Sequence, residues 1–297
     1  MELYEGINSI RKMKGLSVHQ IVGDKLSKST YYRYVNGEND ISSEMFVYLL
    51  RKLKISLEEL QFYCYGDEFK PERKLMLQLQ KSYMRENCQQ LHALTIKCQN
   101  YFRSTNDIVF QHIEALIEIL IARLQDKAII IKDNRLYKYL FNIESWGHYE
   151  ISFFNNSLHY FDKETLDILL PRVIQKLNWY HHLDENSNEN VRLIANVIIF
   201  YLQLKDIKKA SYYIDFLNNI SITEEMVFEK IVINFFNRLQ TDLLNRDYSF
   251  KTARNNLEIM KMLNMQLYLK MFTNLLNRLA ILIPKEHEHE IPDCSLH

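Results

Sequence analysis

Residues 28 to 33 read Lys-Ser-Thr-Tyr-Tyr-Arg, two cations and four hydroxyls on six consecutive positions. A guanidinium fork pairs with the edge of a guanine or with a phosphate, a lysine supplies a point charge, and hydroxyls reach phosphate oxygens. Such contacts need a rigid element to deliver them. Ser27 can cap a helix that turns Lys28, Ser29, Thr30, Tyr32 and Arg33 to open faces and Tyr31, Tyr34 and Val35 inward, with Gly37 placed to stop it. The preceding stretch, Ser17 to Gly23, reads as a shorter helix that Ser17 caps and that buries Ile21 and Val22. Two short helices about a tight turn are the layout of a helix-turn-helix, whose second helix enters the major groove. Between residues 11 and 33 six basic residues, Arg11, Lys12, Lys14, Lys25, Lys28 and Arg33, face a single acidic one, Asp24, in a chain of zero net charge. A local excess of that kind is what phosphate neutralisation requires. Arg11, Lys12 and Lys14 are expected to hold the DNA backbone, and Arg33 to make the leading base or phosphate contact.

Residues 10 to 60, IRKMKGLSVHQIVGDKLSKSTYYRYVNGENDISSEMFVYLLRKLKISLEEL, resemble the N-terminal domain of the Rgg (GadR/MutR) regulators. The matching core is LSKSxxxRYxxGExxIS, with Ser29, Arg33, Gly37, Glu38, Ile41 and Ser42 in place. Val18 departs from the polar residue common at the start of the second helix, and Val35 from the Glu common near the end of the third. The string SWGHYE, Ser145 to Glu150, resembles a second segment of the same family, with Gly147 and His148 at its variable positions. The resemblance implies a peptide-pheromone receptor of the quorum-sensing type with a repressor-like DNA-binding domain. It also implies a ligand of neutral or aromatic character, read near His148.

The remainder of the chain reads as helix after helix. Leu3, Ile7, Ile10 and Met13 mark the first, residues 3 to 13; helices four and five follow from Ile41 and Ser56; a sixth starts at Pro71 and runs unbroken to Tyr101 or breaks near Asn87. Three later segments, from Glu144, Arg192 and Glu229, look alike. Each has an aromatic-rich helix, a polar turn with Asp162, Asp206 or Asp247, and a second amphipathic helix, with Ala210 and Ala253 where paired helices would cross. An interval of roughly forty residues is that of tetratricopeptide-like arrays. The first helices of such an array line a concave side that suits an extended peptide. Asparagine side chains there both donate to and accept from a peptide backbone. Asn155, Asn156, Asn196, Asn234, Asn237 and Asn274 are candidates, with Phe154, Phe200 and Phe236 as pocket walls. With the residues the resemblance adds, the expected peptide-binding set is Trp146, His148, Tyr149, Glu150, Phe154, Asn155, Asn196, Phe200, Asn234 and Arg238.

Composition narrows the classes. Hydrophobic residues make up 47% of 297, with only six Gly and four Pro, so an all-α fold is expected. There is no P-loop, dinucleotide fingerprint, GxSxG elbow or HExxH, so neither an enzyme nor a cofactor is expected. Cys64, Cys88, Cys98 and Cys294 share no zinc-ligand spacing, and no metal is expected. The stretch MELYEGINSIRKMKG lacks a signal-peptide core and the longest apolar run is broken by Glu118 and Arg123, which points to a cytoplasmic chain with no membrane span. His148, His181 and His182 could make binding pH-sensitive. The tail KEHEHEIPDCSLH is expected to be disordered or a dimer contact.

The organisation that follows is a five-helix repressor-type helix-turn-helix domain at 1–66, a linker at 67–72, a degenerate tetratricopeptide-like α-solenoid at 73–284 that binds peptide and dimerises, and a tail at 285–297. The expected function is a homodimeric transcriptional regulator that binds double-stranded DNA and responds to a short signalling peptide. Leu267, Leu269, Met271, Leu275, Leu276, Leu279 and Ile283 are expected to supply dimer surface. Alternatives are a helix-turn-helix regulator whose solenoid takes a protein or small molecule, or a helical-repeat adaptor that does not bind DNA.

Overall fold

The computed structural model describes residues 1–66, 70–127, 130–180 and 187–283. Among these the secondary structure is helical throughout, and the chain clusters into two compact units, Met1–Ile117 and Glu118–His297. His181, His182 and the tail at 285–297 lie outside the described residues.

The first unit opens with α1 (Leu3–Met13), α2 (Val18–Val22), α3 (Lys28–Val35), α4 (Ser43–Leu53) and α5 (Leu57–Tyr65). Helices this short are marginal alone and depend on caps and a shared core. The sequence supplies a side-chain cap at four of the five. Ser17 Oγ accepts from the Gln20 N–H at 3.3 Å while Gln20 Oε1 accepts from the Ser17 N–H at 2.7 Å. Ser27 Oγ accepts from the Thr30 N–H at 3.0 Å, Ser42 Oγ from Met45 at 3.3 Å and Ser56 Oγ from Glu59 at 3.0 Å. Each such cap is worth about 1 kcal/mol. The core is one cluster of Ile7, Ile10, Ile21, Val22, Tyr31, Leu49, Leu53 and Leu60 with their neighbours. Gly37, at φ 72°, ends the turn after α3 where the Tyr4 ring leaves no room for a Cβ, and Gly6 lets the Cys64 side chain of α5 close onto α1.

Of the two readings for the stretch from Pro71, the break near Asn87 is the one observed. α6 (Pro71–Met84) stops, Glu86 takes a left-handed φ of 53°, and Asn87 caps α7 (Cys88–Thr105) by accepting from the Gln90 N–H at 2.9 Å. α8 (Val109–Leu124) contains the division between the units and is apolar nearly all round, burying Ile113, Leu116, Ile117 and Ile119 completely.

In the second unit α9 (Arg135–Asn142) precedes the pairs α10 (His148–Ser157) with α11 (Lys163–Tyr180), α12 (Ser187–Gln203) with α13 (Ile207–Asn218), and α14 (Val227–Leu244) with α15 (Lys251–Met262), closed by α16 (Gln266–Leu282). The first helices start at 148, 187, 227 and 266, at intervals of 39, 40 and 39 residues. This is the tetratricopeptide-like solenoid its period predicts. Ala210 and Ala253 are fully buried at the pair crossings. Asp162 and Asp206 start the second helices, accepting from the Thr165 N–H at 2.7 Å and the Lys209 N–H at 3.1 Å. In the third pair Asp247 ties the turn, to Ser249 and to the Lys251 backbone. The cap comes instead from Asp242 at the end of α14, buried to 1% exposure, which accepts from the N–H groups of Thr252 and Ala253 and from the Thr252 hydroxyl. Of the residues expected on a dimer surface, Leu275, Leu276, Leu279 and Ile283 are instead buried within the chain's own core; Leu267 and Met271 stay exposed.

Asp242→Ala removes three hydrogen bonds from buried or half-buried donors and should destabilise the chain by about 2 to 3 kcal/mol. The midpoint of denaturant unfolding measures it, and an unchanged midpoint would show that α15 does not depend on this cap.

Candidate functional site: a cationic helix and an amide face

The first candidate site is α3. Lys28, Ser29, Tyr32 and Arg33 are exposed, while Tyr31, Tyr34 and Val35 are buried beneath them. Thr30 is half-buried, its hydroxyl 2.7 Å from Ser27 Oγ, and so serves the cap. Tyr31 fixes the helix from below: its ring is fully buried and its hydroxyl donates to Asn8 Oδ1 at 3.3 Å. Burial raises the Tyr31 pKa above its ordinary value, which keeps it a neutral donor.

The other cations divide. Arg11 spends its guanidinium inside the domain, donating to Asn8 Oδ1 at 3.1 and 3.3 Å and to the Leu16 carbonyl at 2.6 Å. Lys14 donates to the Leu53 carbonyl at 2.7 Å and so caps the end of α4. Lys12 is exposed. Lys25 and Lys52 flank the Tyr48 ring, at 5.4 and 5.5 Å from its centroid.

The second candidate site is on the first helices of the repeats. Asn196 of α12 donates from Nδ2 to Asn155 Oδ1 of α10 at 2.8 Å, so two of the predicted amides meet across neighbouring helices, both half-buried. The other predicted amides go elsewhere. Asn234 accepts from Arg238 Nε at 3.3 Å and donates to Asn256, a fully buried residue of α15. Asn237 forms a reciprocal amide pair with Asn218 of α13, both bonds 2.9 Å. Asn156 donates to the Ser152 carbonyl of its own helix, and Asn274 is exposed.

The aromatic members of the predicted set lie in the interior. Trp146 is 2% exposed with its ring edge on Phe154, and Phe154, Phe200 and Phe236 belong to the core. Glu150 is buried and acts as a cap: it accepts from the Gly147 N–H at 2.6 Å and the Tyr139 hydroxyl at 2.5 Å. Burial, with Glu150 beside it, pushes the Tyr139 pKa up to about 12. Tyr149 is half-buried against Tyr139 and Phe153.

His148, at the start of α10, meets Glu189 of α12 with Nδ1 3.0 Å from Oε2. The hydrogen bond to Glu189 raises the His148 pKa above its ordinary value. Sequence reasoning singled out His148 but had no means of finding Glu189, which lies on the next repeat. It also missed His159, which packs against Phe200 and is hydrogen-bonded to Asn196. Two open clefts lie in the first unit, one lined by Lys74, Gln78, Lys97 and Tyr101 and one by Glu58, Phe62, Lys70 and Leu77; neither includes a predicted residue. Among the described residues no group of His, Cys, Asp and Glu could hold a metal ion, and no helix is long and apolar enough to cross a membrane.

The model of a family described as the C-terminal domain of the HTH-type transcriptional regulator Rgg matches residues 91–274. The chain belongs to the Rgg family of transcriptional regulators. Its fold is shared by solved structures at low identity. One is a protein of Listeria monocytogenes EGD-e described as a transcriptional regulator, with TM-score 0.79, 17% identity and coverage of 96% of this chain and 99% of that one. The SHP pheromone receptor Rgg2 of Streptococcus dysgalactiae gives TM-score 0.70 at 21% identity, covering 93% and 99%. PrgX in its complex with cCF10 gives 0.65 at 15%, covering 94% and 92%. The Rgg regulator described here thus carries the family's all-helical architecture over nearly its whole length.

The His148–Glu189 pair makes a pH prediction. Because the folded pKa of His148 is raised, the stability the pair adds is complete below the ordinary histidine value and is lost as pH rises through the folded one. Both partners are more than a third exposed, so the effect is a few tenths of a kcal/mol. Wild type should exceed Glu189→Gln in melting temperature at about pH 5.5 and match it at about pH 8.5. A gap independent of pH would show that the pair is not formed.

Proposed function

We propose that this Rgg-family regulator binds double-stranded DNA through α3 and a short signalling peptide through the amide face of its repeats. The observation that carries the DNA reading is the exposure of Lys28, Ser29, Tyr32 and Arg33 on a capped helix whose opposite side is locked into the core. Arg33 is the candidate for a guanine or phosphate contact, Lys28 and Lys12 for the backbone, and Thr30, Arg11 and Lys14 support the surface from within. One such helix offers too few contacts for specific affinity, and a homodimer reading two half-sites supplies them. Residues 1–66 are assigned to DNA binding, 67–72 to the linker and 73–284 to peptide binding and dimerisation, in a cytoplasmic protein without an enzymatic role.

The peptide reading is supported by the family and by the Asn155–Asn196 pair on successive first helices. A pheromone receptor and a bacterial peptide pheromone/receptor complex are among the solved structures with this fold. A peptide acts by binding one state of the regulator better than another.

Arg33→Ala should weaken specific duplex binding about ten- to a hundredfold. Lys28→Ala should lower the slope of affinity against salt by roughly one counterion. Gel shifts at several salt concentrations read both, with circular dichroism to confirm the fold; unchanged affinity in Arg33→Ala would remove α3 from the interface. Asn196→Ala should abolish capture of peptides from a synthetic octapeptide pool and leave duplex binding intact. Retained capture would move the peptide off this face.

A further inference from the structure

The first helices of the repeats, α10, α12, α14 and α16, carry five Lys and Arg and four Asp and Glu, a nearly neutral set by sequence. Burial separates the two signs. Glu150, Glu229 and Asp242 are buried, and Glu150 and Asp242 are spent on caps. Glu189 is held by His148. Arg192, Lys230, Arg238, Lys270 and Arg278 are all exposed, and none of the five forms a salt bridge among the described residues. α13 brings Asp215 beside α14, where it accepts from Gln240 Nε2 at 3.2 Å; the surplus stays positive. The solvent face of these helices is therefore cationic in a chain of zero net charge.

The cations are also in register with the amides. Residues 230–239, KIVINFFNRL, recur one repeat later as KMFTNLLNRL at 270–279. Packing accounts for the apolar letters, since Phe235, Phe236 and Leu239 are buried, as are Leu275, Leu276 and Leu279. The polar letters fall at i, i+4 and i+8. Lys230, Asn234 and Arg238 thus form one row along α14, and Lys270, Asn274 and Arg278 the equivalent row along α16. Within the first row Arg238 Nε donates to Asn234 Oδ1 at 3.3 Å. On α12 Arg192 stands one turn before Asn196. Its guanidinium carbon lies 5.6 Å from the centre of the Phe228 ring on α14, and that ring packs on Tyr268 of α16 with centroids 4.5 Å apart. A guanidinium held over a ring face keeps its in-plane N–H groups for a partner. Each candidate amide on α12, α14 and α16 therefore has a cation one turn away.

Amides satisfy a peptide backbone whatever its side chains, whereas cations discriminate: they repel a basic peptide and make charge-assisted bonds, about twice as strong as neutral ones, with a carboxylate. A face of one sign also speeds encounter with a ligand of the other. We infer that the peptide taken by this face is acidic, its backbone meeting the asparagines and its carboxylates the rows of Arg192, Lys230, Arg238, Lys270 and Arg278. The inference rests on the peptide-binding reading above, and it departs from the neutral or aromatic ligand that the family resemblance implies. A duplex would meet the same cations through its phosphates but would leave the amide acceptors unused.

Three synthetic octapeptide pools, all acetylated and amidated, separate the outcomes: one containing Asp and Glu but no basic residue, one without charged residues, and one containing Lys and Arg but no acid. The full chain captures peptides from each and mass spectrometry counts them. The acidic pool should be enriched about tenfold or more over the neutral one, and the enrichment should shrink as salt is raised. Equal capture of acidic and neutral pools would overturn the acidic assignment and leave the peptide reading standing; capture from none would overturn both. The double variant Arg238→Gln with Arg278→Gln should erase the preference without changing the melting temperature. Lys208→Gln, which removes an exposed cation of α13, should leave it intact. A preference that survives the double variant, or one that Lys208→Gln weakens as much, would overturn the placement on these rows. Duplex binding by the double variant should keep its salt slope; a slope lowered by about two counterions, with no acidic preference in the wild type, would assign the rows to DNA and overturn the inference.

Discussion

A pair of amphipathic helices cannot bury its apolar faces alone, and the second unit depends on that constraint. The interval of 39 or 40 residues places an equivalent helix against each pair, so faces exposed in one repeat are covered by the next. The polar ends of the helices must be satisfied under the same cover. Asp162, Asp206 and Asp242 do this from three different sequence contexts, the last from within the preceding helix. Between the first and second pairs Asp167 gathers Lys163, Lys209 and the Tyr201 hydroxyl, with Tyr201 stacked on Tyr213, so that α11, α12 and α13 share one charged knot. Burial and Asp167 raise the Tyr201 pKa, which leaves the phenol a donor throughout the accessible pH range.

In the first unit the same economy sorts the cations. A positive side chain near a helix end either satisfies the orphan carbonyls there or faces solvent. Arg11 and Lys14 take the first role, toward Leu16 and Leu53; Lys28 and Arg33 take the second. A local surplus of charge in the sequence therefore overstates the charge available to a partner, because part of it is consumed in making the domain. Of the six cations between residues 11 and 33, Lys12, Lys25, Lys28 and Arg33 remain exposed to solvent, the last two on α3.

This sorting also explains what was legible beforehand. Caps at Ser17, Ser27, Ser42 and Ser56 act over three residues, and apolar spacing acts over four, so the helix-turn-helix could be read from its own letters. The forty-residue period was legible for the same reason, being a repetition of local patterns. Side-chain direction was not. Phe154, Phe200 and Phe236 sit on groove-side helices by sequence, yet their neighbours' volume draws them into the core. Asn234 and Asn237 have the residue type expected of a peptide clamp, but their partners Asn256 and Asn218 come from helices whose approach no spacing reveals. Glu150 looked like a ligand contact because it belongs to a family motif, and it is a buried cap. His159 carried no signal at all, since its neighbour Phe200 comes from the next repeat.

The asymmetry between the two kinds of asparagine pair bears on what an amide face can recognise. Asn218 and Asn237 exchange two equivalent bonds, so each amide uses a donor and its acceptor and the pair is neutral toward either kind of ligand atom. Asn155 and Asn196 share one bond, from Asn196 Nδ2 to Asn155 Oδ1. A closed pair can tie two helices together without choosing a ligand. An open pair of half-buried amides keeps hydrogen-bonding capacity beyond the bond that joins its two helices.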